Sequence, residues 1–367
     1  MAVPSALAAL LPTAILMAAA AADDSGLPDD LRLNQVQLVG THNSYHIAPA
    51  ASQLNVLGRM KPEWRDALDY THRPLTEQFG ELGVRHIELD IYADPKGGMF
   101  AAPYGANVLT VADRKALPPH DPEGKLAKPG FKIVHVPDFD YRTTVLTLVD
   151  ALNEVRAWSK ANPTHLPIMV LLEMKDARHF PLSKRPVPIG RPQLEAAEAE
   201  ILSVFDRAQL ITPDDIRGDA ATLRKAVLET GWPKLRDARG KILFALDNGG
   251  GVRDTYLKDN ASLEGRLLFA TAPREDHPAA AWFKLNNPIG DFDRIRRLVR
   301  AGFLIRTRAD SETREARAND TRRRDKAITS GAQFISTDYP EAKAEVSDYE
   351  VRFEGGKAYR QNSVNAE

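Results

Sequence analysis

The sequence predicts an α/β protein folded as a parallel (β/α)8 barrel of the TIM type, enlarged by loop insertions. Three observations predict it. Short apolar runs rich in Val, Ile, Leu and Phe recur along the chain and read as strands covered on both faces. Segments with apolar residues at 3/4 spacing lie between them and read as amphipathic helices. No glycine-rich dinucleotide fingerprint follows the first run, which weighs against an open doubly wound sheet.

In chain order the expected strands are Val36–Gly40, Val84–Ile91, Lys132–Val136, Ile168–Glu173, Lys241–Leu246, Leu267–Ala270, Phe303–Thr307 and Phe334–Thr337. The expected helices are Pro74–Leu82, Thr144–Lys160, Gln193–Phe205, Ala221–Leu228, Asp291–Arg300 and Glu312–Ser330. In the second of these Val145, Leu148, Val149, Leu152 and Val155 form one apolar face. Gly302 and Gly331 follow the last two helices as stops before strands. Strand then helix, repeated, is the barrel pattern. The chain exceeds a minimal barrel of about 250 residues, so Ala48–Tyr70, Asp94–Gly130 and the proline-rich Arg178–Pro192 are read as insertions.

The chain has 367 residues, with 49 Lys+Arg against 50 Asp+Glu, 43% hydrophobic and 27% charged. That balance excludes a disordered chain, a collagen-like fibre and a multi-span membrane protein. The net charge of −1 exerts no global pull on nucleic acid, and none is expected as a partner. Cysteine is absent, so there is no disulfide framework, thiolate nucleophile or Cys-based zinc site.

Met1–Ala22 carries no charged side chain, its Leu7–Ala20 run is apolar, and Ala20-Ala21-Ala22 offers small residues for cleavage. Residues 1–22 are therefore read as a secretory signal peptide, although the usual basic n-region is missing. Residues 23–367 then form a single barrel domain, secreted or periplasmic and expected to be monomeric. Such compartments are rich in Ca²⁺.

Barrel chemistry sits at the C-terminal ends of strands. Six of the eight expected strands end in reactive groups: Thr41-His42-Asn43-Ser44, Glu88-Leu89-Asp90, His135, Glu173-Met174-Lys175, Arg306-Thr307-Arg308 and Thr337-Asp338. Glu88 and Asp90 are i, i+2 on one strand and share a face, as do Glu173 and Lys175. Three carboxylates plus the Asn43 amide make an all-oxygen donor set suited to Ca²⁺, with Mg²⁺ second, rather than zinc. His42 and His135, 93 residues apart, can face each other across the mouth as complementary acid–base groups.

Other features take plainer readings. His86 lies deeper on its strand and reads as a structural histidine inside the barrel. Arg322-Arg323-Arg324 sits where acidic residues interleave with basic ones, the pattern of a solvated helix laced with ion pairs. No role is assigned to His46, His72, His120, His165, His179 or His277.

The ordered set Gly40-Thr41-His42-Asn43-Ser44-Tyr45, Ile87-Glu88-Leu89-Asp90, His135 and Leu172-Glu173-Met174-Lys175 resembles the phosphoinositide-specific phospholipase C superfamily, closest to its calcium-dependent secreted bacterial branch. The clear matches span residues 36–175, and Phe303–Pro340 resembles the last two strands of the same group. The resemblance implies Asn43, Glu88, Asp90 and Glu173 as calcium ligands and His42 and His135 as the catalytic pair. Its calcium-independent branch replaces a ligand carboxylate with a basic residue, whereas all three acidic positions are kept here.

The implied reaction is attack of an inositol hydroxyl on the neighbouring phosphodiester, releasing diacylglycerol and an inositol (cyclic) phosphate. Glu88 or Glu173 could take the proton; His42 would donate to the phosphoryl oxygen or act as base; His135 would protonate the leaving alkoxide. Lys175 and Arg306 are expected to contact phosphate or inositol, with Arg308 a weaker candidate of the same parity. Barrel closure would bring Asp338 beside His42, where it could orient the imidazole. The substrate implies transient contact with a membrane surface, for which the Gly97–Tyr104 loop is one candidate. Two rivals stand beside this reading. One is another metal-dependent barrel phosphodiesterase, acting on glycerophosphodiesters or sphingomyelin-like lipids. The other is a non-catalytic envelope protein that binds a ligand at the same rim.

Overall fold

The structure is a computed structural model that describes residues 26–179 and 184–365. The expected signal peptide lies outside them. Among the described residues no helix is long and apolar enough to cross a membrane.

The strands are β1 (Val36–Thr41), β2 (His86–Asp94), β3 (Gly130–Ile133), β4 (Ile168–Met174), β5 (Leu210–Ile211), β6 (Ile242–Leu246), β7 (Leu268–Ala270), β8 (Trp282–Lys284), β9 (Leu304–Arg308), β10 (Phe334–Thr337) and β11 (Tyr359–Gln361). Eight of them run parallel in the order β7-β6-β4-β2-β1-β10-β9-β8. The first and last of these in sequence, β1 and β10, are paired from Leu38↔Phe334 to Thr41↔Thr337. That is a TIM-type barrel wall. Among the described residues no ladder joins β7 to β8, so the hydrogen-bonded ring is open there. β5 pairs the start of β6, and β7 the rest of it.

The strands are apolar on both sides because helices cover the outside while side chains fill the lumen. Leu148–Ala161 shows how a helix is set. The Thr147 hydroxyl accepts from Asp150 N–H at 3.1 Å, an N-cap. Leu148, Leu152, Val155 and Trp158 then face the wall. The Trp158 ring packs 5.3 Å from Phe79, and the Arg85 guanidinium lies 4.7 Å from its centroid.

Three expectations are corrected. The segment expected as the third barrel strand is not in the parallel wall. β2 runs on beyond it to Asp94, and β3 returns antiparallel along that extension, from Asp94↔Gly130 to Ile91↔Ile133. An apolar run reports burial but carries no information on direction. The eighth wall strand is instead β8, whose three residues directly follow Ala279-Ala280-Ala281, a stretch too short and small to show a strand pattern. Finally, the expected helix Glu312–Ser330 is two helices, Arg314–Ala318 and Arg322–Ser330. The chain turns between them at Asn319, whose φ of 49° ends the first. The C-terminal β11, antiparallel to β1, was not foreseen.

Candidate active site

The first imidazole is placed by the end of β1. His42 N–H donates to Thr337 O at 3.0 Å, so the residue is pinned to β10. Asn43 then turns the chain with φ 43°, a left-handed conformation that Asn tolerates better than most residues. Ser44 fastens this turn to β2: its N–H donates to Glu88 O at 2.9 Å and its Oγ accepts from Glu88 N–H at 2.8 Å. The Gln78 amide donates to Ser44 O at 2.6 Å. Gly40 allows the close approach, since a Cβ there would lie 2.4 Å from His86 Cδ2.

His42 Nδ1 lies 2.8 Å from Asp338 Oδ1. Arg308 spans the pair, donating from Nη2 to Asp338 Oδ2 at 3.1 Å and from Nη1 to His42 Nε2 at 3.2 Å. A guanidinium only donates, so His42 Nε2 holds the lone pair and the proton sits on Nδ1, facing the carboxylate. Burial first, and the Arg308 charge second, hold the His42 pKa well below the ordinary imidazole value.

The second imidazole follows β3. Val134 N–H lies 3.4 Å from Asp90 O, so the returning strand sets His135 down at the mouth. A tight turn follows: Asp140 N–H donates to Val136 O at 2.9 Å, with Asp138 at φ 79°. Tyr104 N–H donates to Asp138 Oδ1 at 2.6 Å. The turn brings Asp140 Oδ2 to 2.6 Å from His135 Nδ1. His46 Nε2 lies 2.8 Å from Asp140 Oδ1, and His46 Nδ1 donates to Tyr70 O at 3.0 Å. Burial opposes charge on both His46 and Asp140; their mutual attraction outweighs it, raising the histidine's pKa and lowering the acid's.

Glu88, Asp90 and Glu173 bring carboxylate oxygens within 4.8 Å of one another. Asp90 and Glu173 are register partners on β2 and β4. Two cations reach the cluster. Lys175 Nζ lies 2.8 Å from Asp90 Oδ2 and 3.7 Å from Glu173 Oε2. Arg306, 1% exposed, donates to Glu88 Oε2, to Asn286 Oδ1 and, at 3.0 Å, to Ser336 Oγ. Glu88 Oε1 lies 3.8 Å from His42 Nε2. Asp90 Oδ1 is buried and, among the described residues, has no hydrogen-bond partner. Burial, then the Asp90 charge, raises the Glu173 pKa. Asn43, buried and next in sequence to the Ser44 that is tied to Glu88, donates from Nδ2 to the Tyr70 hydroxyl at 3.2 Å, which leaves its Oδ1 as the amide's acceptor atom.

The imidazoles share one cleft of about 430 Å³. Asp140, Arg308 and Asp338 line its polar side; Leu57, Trp64, Leu68 and Phe139 form an apolar wall. Lys175 and Arg306 are drawn into the carboxylate cluster, while Arg308 reaches the cleft. Asp140 and His46 carried no sequence assignment. The signal for Asp140 was local: Pro137-Asp138, a turn dipeptide, lies between it and His135. His46 carried none beyond its place four residues after His42. In the Gly97–Tyr104 loop Phe100 is buried, packed 5.3 Å from Tyr92, while Ala101 and Ala102 are exposed.

A family model described as "Phosphoinositide phospholipase C, Ca2+-dependent" matches residues 31–363. No curated protein sequence matches the chain. Among solved structures, a calcium-dependent phosphoinositol-specific phospholipase C from a Gram-negative Pseudomonas species, described as an apo form and myo-inositol complex, aligns with TM-score 0.53 at 18% identity, over 90% of this chain and 96% of that one. A second crystal form of its apo state gives 0.52 at 17% identity, over 94% and 98%. At such identity the likeness shows the fold.

Proposed function

The chain belongs to the calcium-dependent phosphoinositide phospholipase C family, whose members are phosphodiesterases, and on that premise we propose that it cleaves phosphatidylinositol-type diesters with His42 and His135 as its acid–base pair. One observation carries the proposal. Two imidazoles, each engaged at Nδ1 by a buried carboxylate, line a single cleft beside three clustered carboxylates.

The carboxylate cluster fits a hard divalent cation. Its donors are oxygens, and Asp90 Oδ1 is buried with no hydrogen-bond partner among the described residues. Three carboxylates against Arg306 and Lys175 leave one excess negative charge. A divalent ion together with a singly charged phosphodiester brings that sum to zero. Asn43, Glu88, Asp90 and Glu173 would hold the ion. A bound Ca²⁺ supplies Lewis acidity, acidifying the attacking hydroxyl and stabilising charge on the phosphoryl group.

The chain's own groups do the rest. His42 is neutral with its Nε2 lone pair facing Arg308, which suits it to accept the proton of the inositol 2-hydroxyl. Arg308 then transfers its hydrogen bond from His42 to a phosphoryl oxygen. The 2-oxygen bonds to phosphorus and the bond from phosphorus to the glycerol oxygen breaks. His135 gives its Nε2 proton to that oxygen. Diacylglycerol and inositol 1,2-cyclic phosphate result. Each acid–base group is worth roughly 10²–10⁴ in rate. The apolar wall at Leu57, Trp64 and Leu68 accommodates the lipid side of the leaving group.

The test is cleavage of phosphatidylinositol by the purified protein, with phosphorus products followed by NMR, in Ca²⁺ and in chelator. Cyclic inositol phosphate that appears only with Ca²⁺ supports the reading. Turnover of glycerophosphocholine offered in parallel, with no cyclic inositol phosphate from phosphatidylinositol, or ligand binding without turnover, overturns it.

A further inference from the structure

We infer that Asp140 is the positioning residue for His135, held in place by His46, and that this His–Asp–His chain decides which proton His135 gives to the leaving group. The inference rests on the reading of His135 as the general acid and adds to it two residues outside the family motif.

The geometry is directional. Tyr70 O can only accept, so His46 Nδ1 donates to it at 3.0 Å. The opposite nitrogen, His46 Nε2, meets Asp140 Oδ1 at 2.8 Å and Oδ2 at 3.0 Å. The carboxylate is thereby fixed from behind by an imidazole that is itself fixed to the backbone. Stacking of His46 on Tyr70, with centroids 4.2 Å apart, sets the ring plane as well. His46 and Asp140 are both buried, so water does not compete for the carboxylate. Asp140 Oδ2 then takes His135 Nδ1–H at 2.6 Å.

The chemical consequence follows. With Nδ1–H committed to Asp140, the only proton His135 can hand over is the one on Nε2, the nitrogen open to the cleft. The carboxylate also stabilises the imidazolium before transfer. Without Asp140 the neutral ring divides between tautomers, the charged ring loses its partner, and its plane is free to rotate. Asp338 does the corresponding work for His42, but through one imidazole and one guanidinium; Asp140 alone is bracketed by two imidazoles.

The discriminating experiment varies the leaving group. Wild type, Asp140→Asn and His46→Gln are assayed on phosphatidylinositol and on a 4-nitrophenyl ester of inositol 1-phosphate, whose phenolate departs without an acid. Asp140→Asn is expected to lower kcat on the lipid about 100-fold, within the range of a lost acid–base group, with KM little changed, and to lower turnover of the nitrophenyl ester less than about 10-fold. His46→Gln shifts the same ratio in the same direction by a smaller factor. Equal losses on both substrates, or no loss on either, overturn the inference. A wild type that cleaves neither ester sinks the underlying reading instead, and the role of Asp140 with it. Imidazole ¹⁵N NMR covers poor folding of the first variant. In the wild type His135 is expected to hold its proton on Nδ1 in the neutral ring, and in His46→Gln to show a mixture. A tautomer mixture already in the wild type overturns the inference.

Discussion

His42 Nδ1 and Asp338 Oδ1, from residues 296 apart in sequence, meet at 2.8 Å across the seam where β10 pairs with β1. The contact depends on barrel closure: Thr41 and Thr337 are register partners, so the residues that follow them leave the wall side by side. Asp338 is itself anchored, its N–H donating to Asp310 Oδ1 at 2.9 Å. Asp338→Asn keeps the size but offers an amide N–H where His42 Nδ1 needs an acceptor. The imidazole then reverses its tautomer and presents a proton where the lone pair should be. We expect kcat on phosphatidylinositol to fall by about 10⁴ with KM nearly unchanged, the size of effect known for a reversed tautomer in a His–Asp pair. Steady-state kinetics on a variant of unaltered Tm checks this.

The Arg308 charge gives a pH dependence of defined sign. Burial and Arg308 both disfavour imidazolium at His42, so its pKa lies well below 6.5. A base is active when deprotonated, so the acid limb of kcat/KM should fall below pH 6.5. Arg308→Gln removes the positive charge and leaves the burial. The His42 pKa then rises, and the acid limb moves to higher pH. Turnover at the plateau falls as well, by roughly 10²-fold, because the phosphoryl oxygen loses a charged donor. A limb that stays in place or moves to lower pH contradicts the assignment of His42 as base.

The sequence made most of the wall legible, because buried parallel strands need continuous apolar runs and seven of the eight lie in one with bulky residues. β8 was hidden because three alanines precede it and Lys284 ends it, whereas β7, equally short, lies in the bulky run Leu267-Leu268-Phe269. His135 was found beside the mouth although its strand runs opposite to the expected direction, since composition registers burial and not polarity. Asp338 was legible from topology alone. Arg306 and Arg308 were harder to rank. Both have the inward parity, and only depth separates them: Arg306 is level with Phe334, and Arg308 with Ser336 one pleat nearer the mouth. Asp140 and His46 were missed because a turn and a cross-loop contact join them, and neither leaves a period in the sequence.

Lys175 separates metal binding from catalysis. Its ammonium lies 2.8 Å from Asp90 Oδ2, inside the oxygen cluster; burial works to discharge it, but Asp90 and Glu173 together outweigh that burial and raise its pKa, so the side chain stays cationic. A cation there repels a divalent ion and attracts a phosphate. Lys175→Met should therefore tighten Ca²⁺ binding by about 10-fold or more, given that two unit charges 4 Å apart near a protein surface interact by about 4 kcal/mol. The same variant should lower kcat/KM for the anionic diester. Asp90→Asn should do the reverse for the metal and abolish the Ca²⁺-induced rise in Tm, which for the wild type corresponds to about 2.7 kcal/mol at 100-fold excess over Kd. Calorimetry beside a turnover assay reads both. Unchanged Ca²⁺ affinity and unchanged kinetics in Lys175→Met would remove the residue from the site.

The approach of β1 to β2 depends on Gly40. These strands are register partners at Gly40 and His86, and a Cβ on Gly40 would sit 2.4 Å from Cδ2 and 2.5 Å from Cβ of His86. His86 cannot swing aside, because it is fully buried with its ring 5.6 Å from that of Phe334. Gly40→Ala should therefore cost about 1–3 kcal/mol, the usual range for overpacking a filled core. It should also lower activity, because His42 stands two residues further along the displaced strand. His86→Ala leaves a void in the same place. The double variant puts the new methyl into that void, so its destabilisation should be smaller than the sum of the two single losses by about 0.5–3 kcal/mol. Urea unfolding of the four proteins measures this coupling. Simple additivity would show that Gly40 and His86 are not in contact, and the placement of His42 would then need another cause.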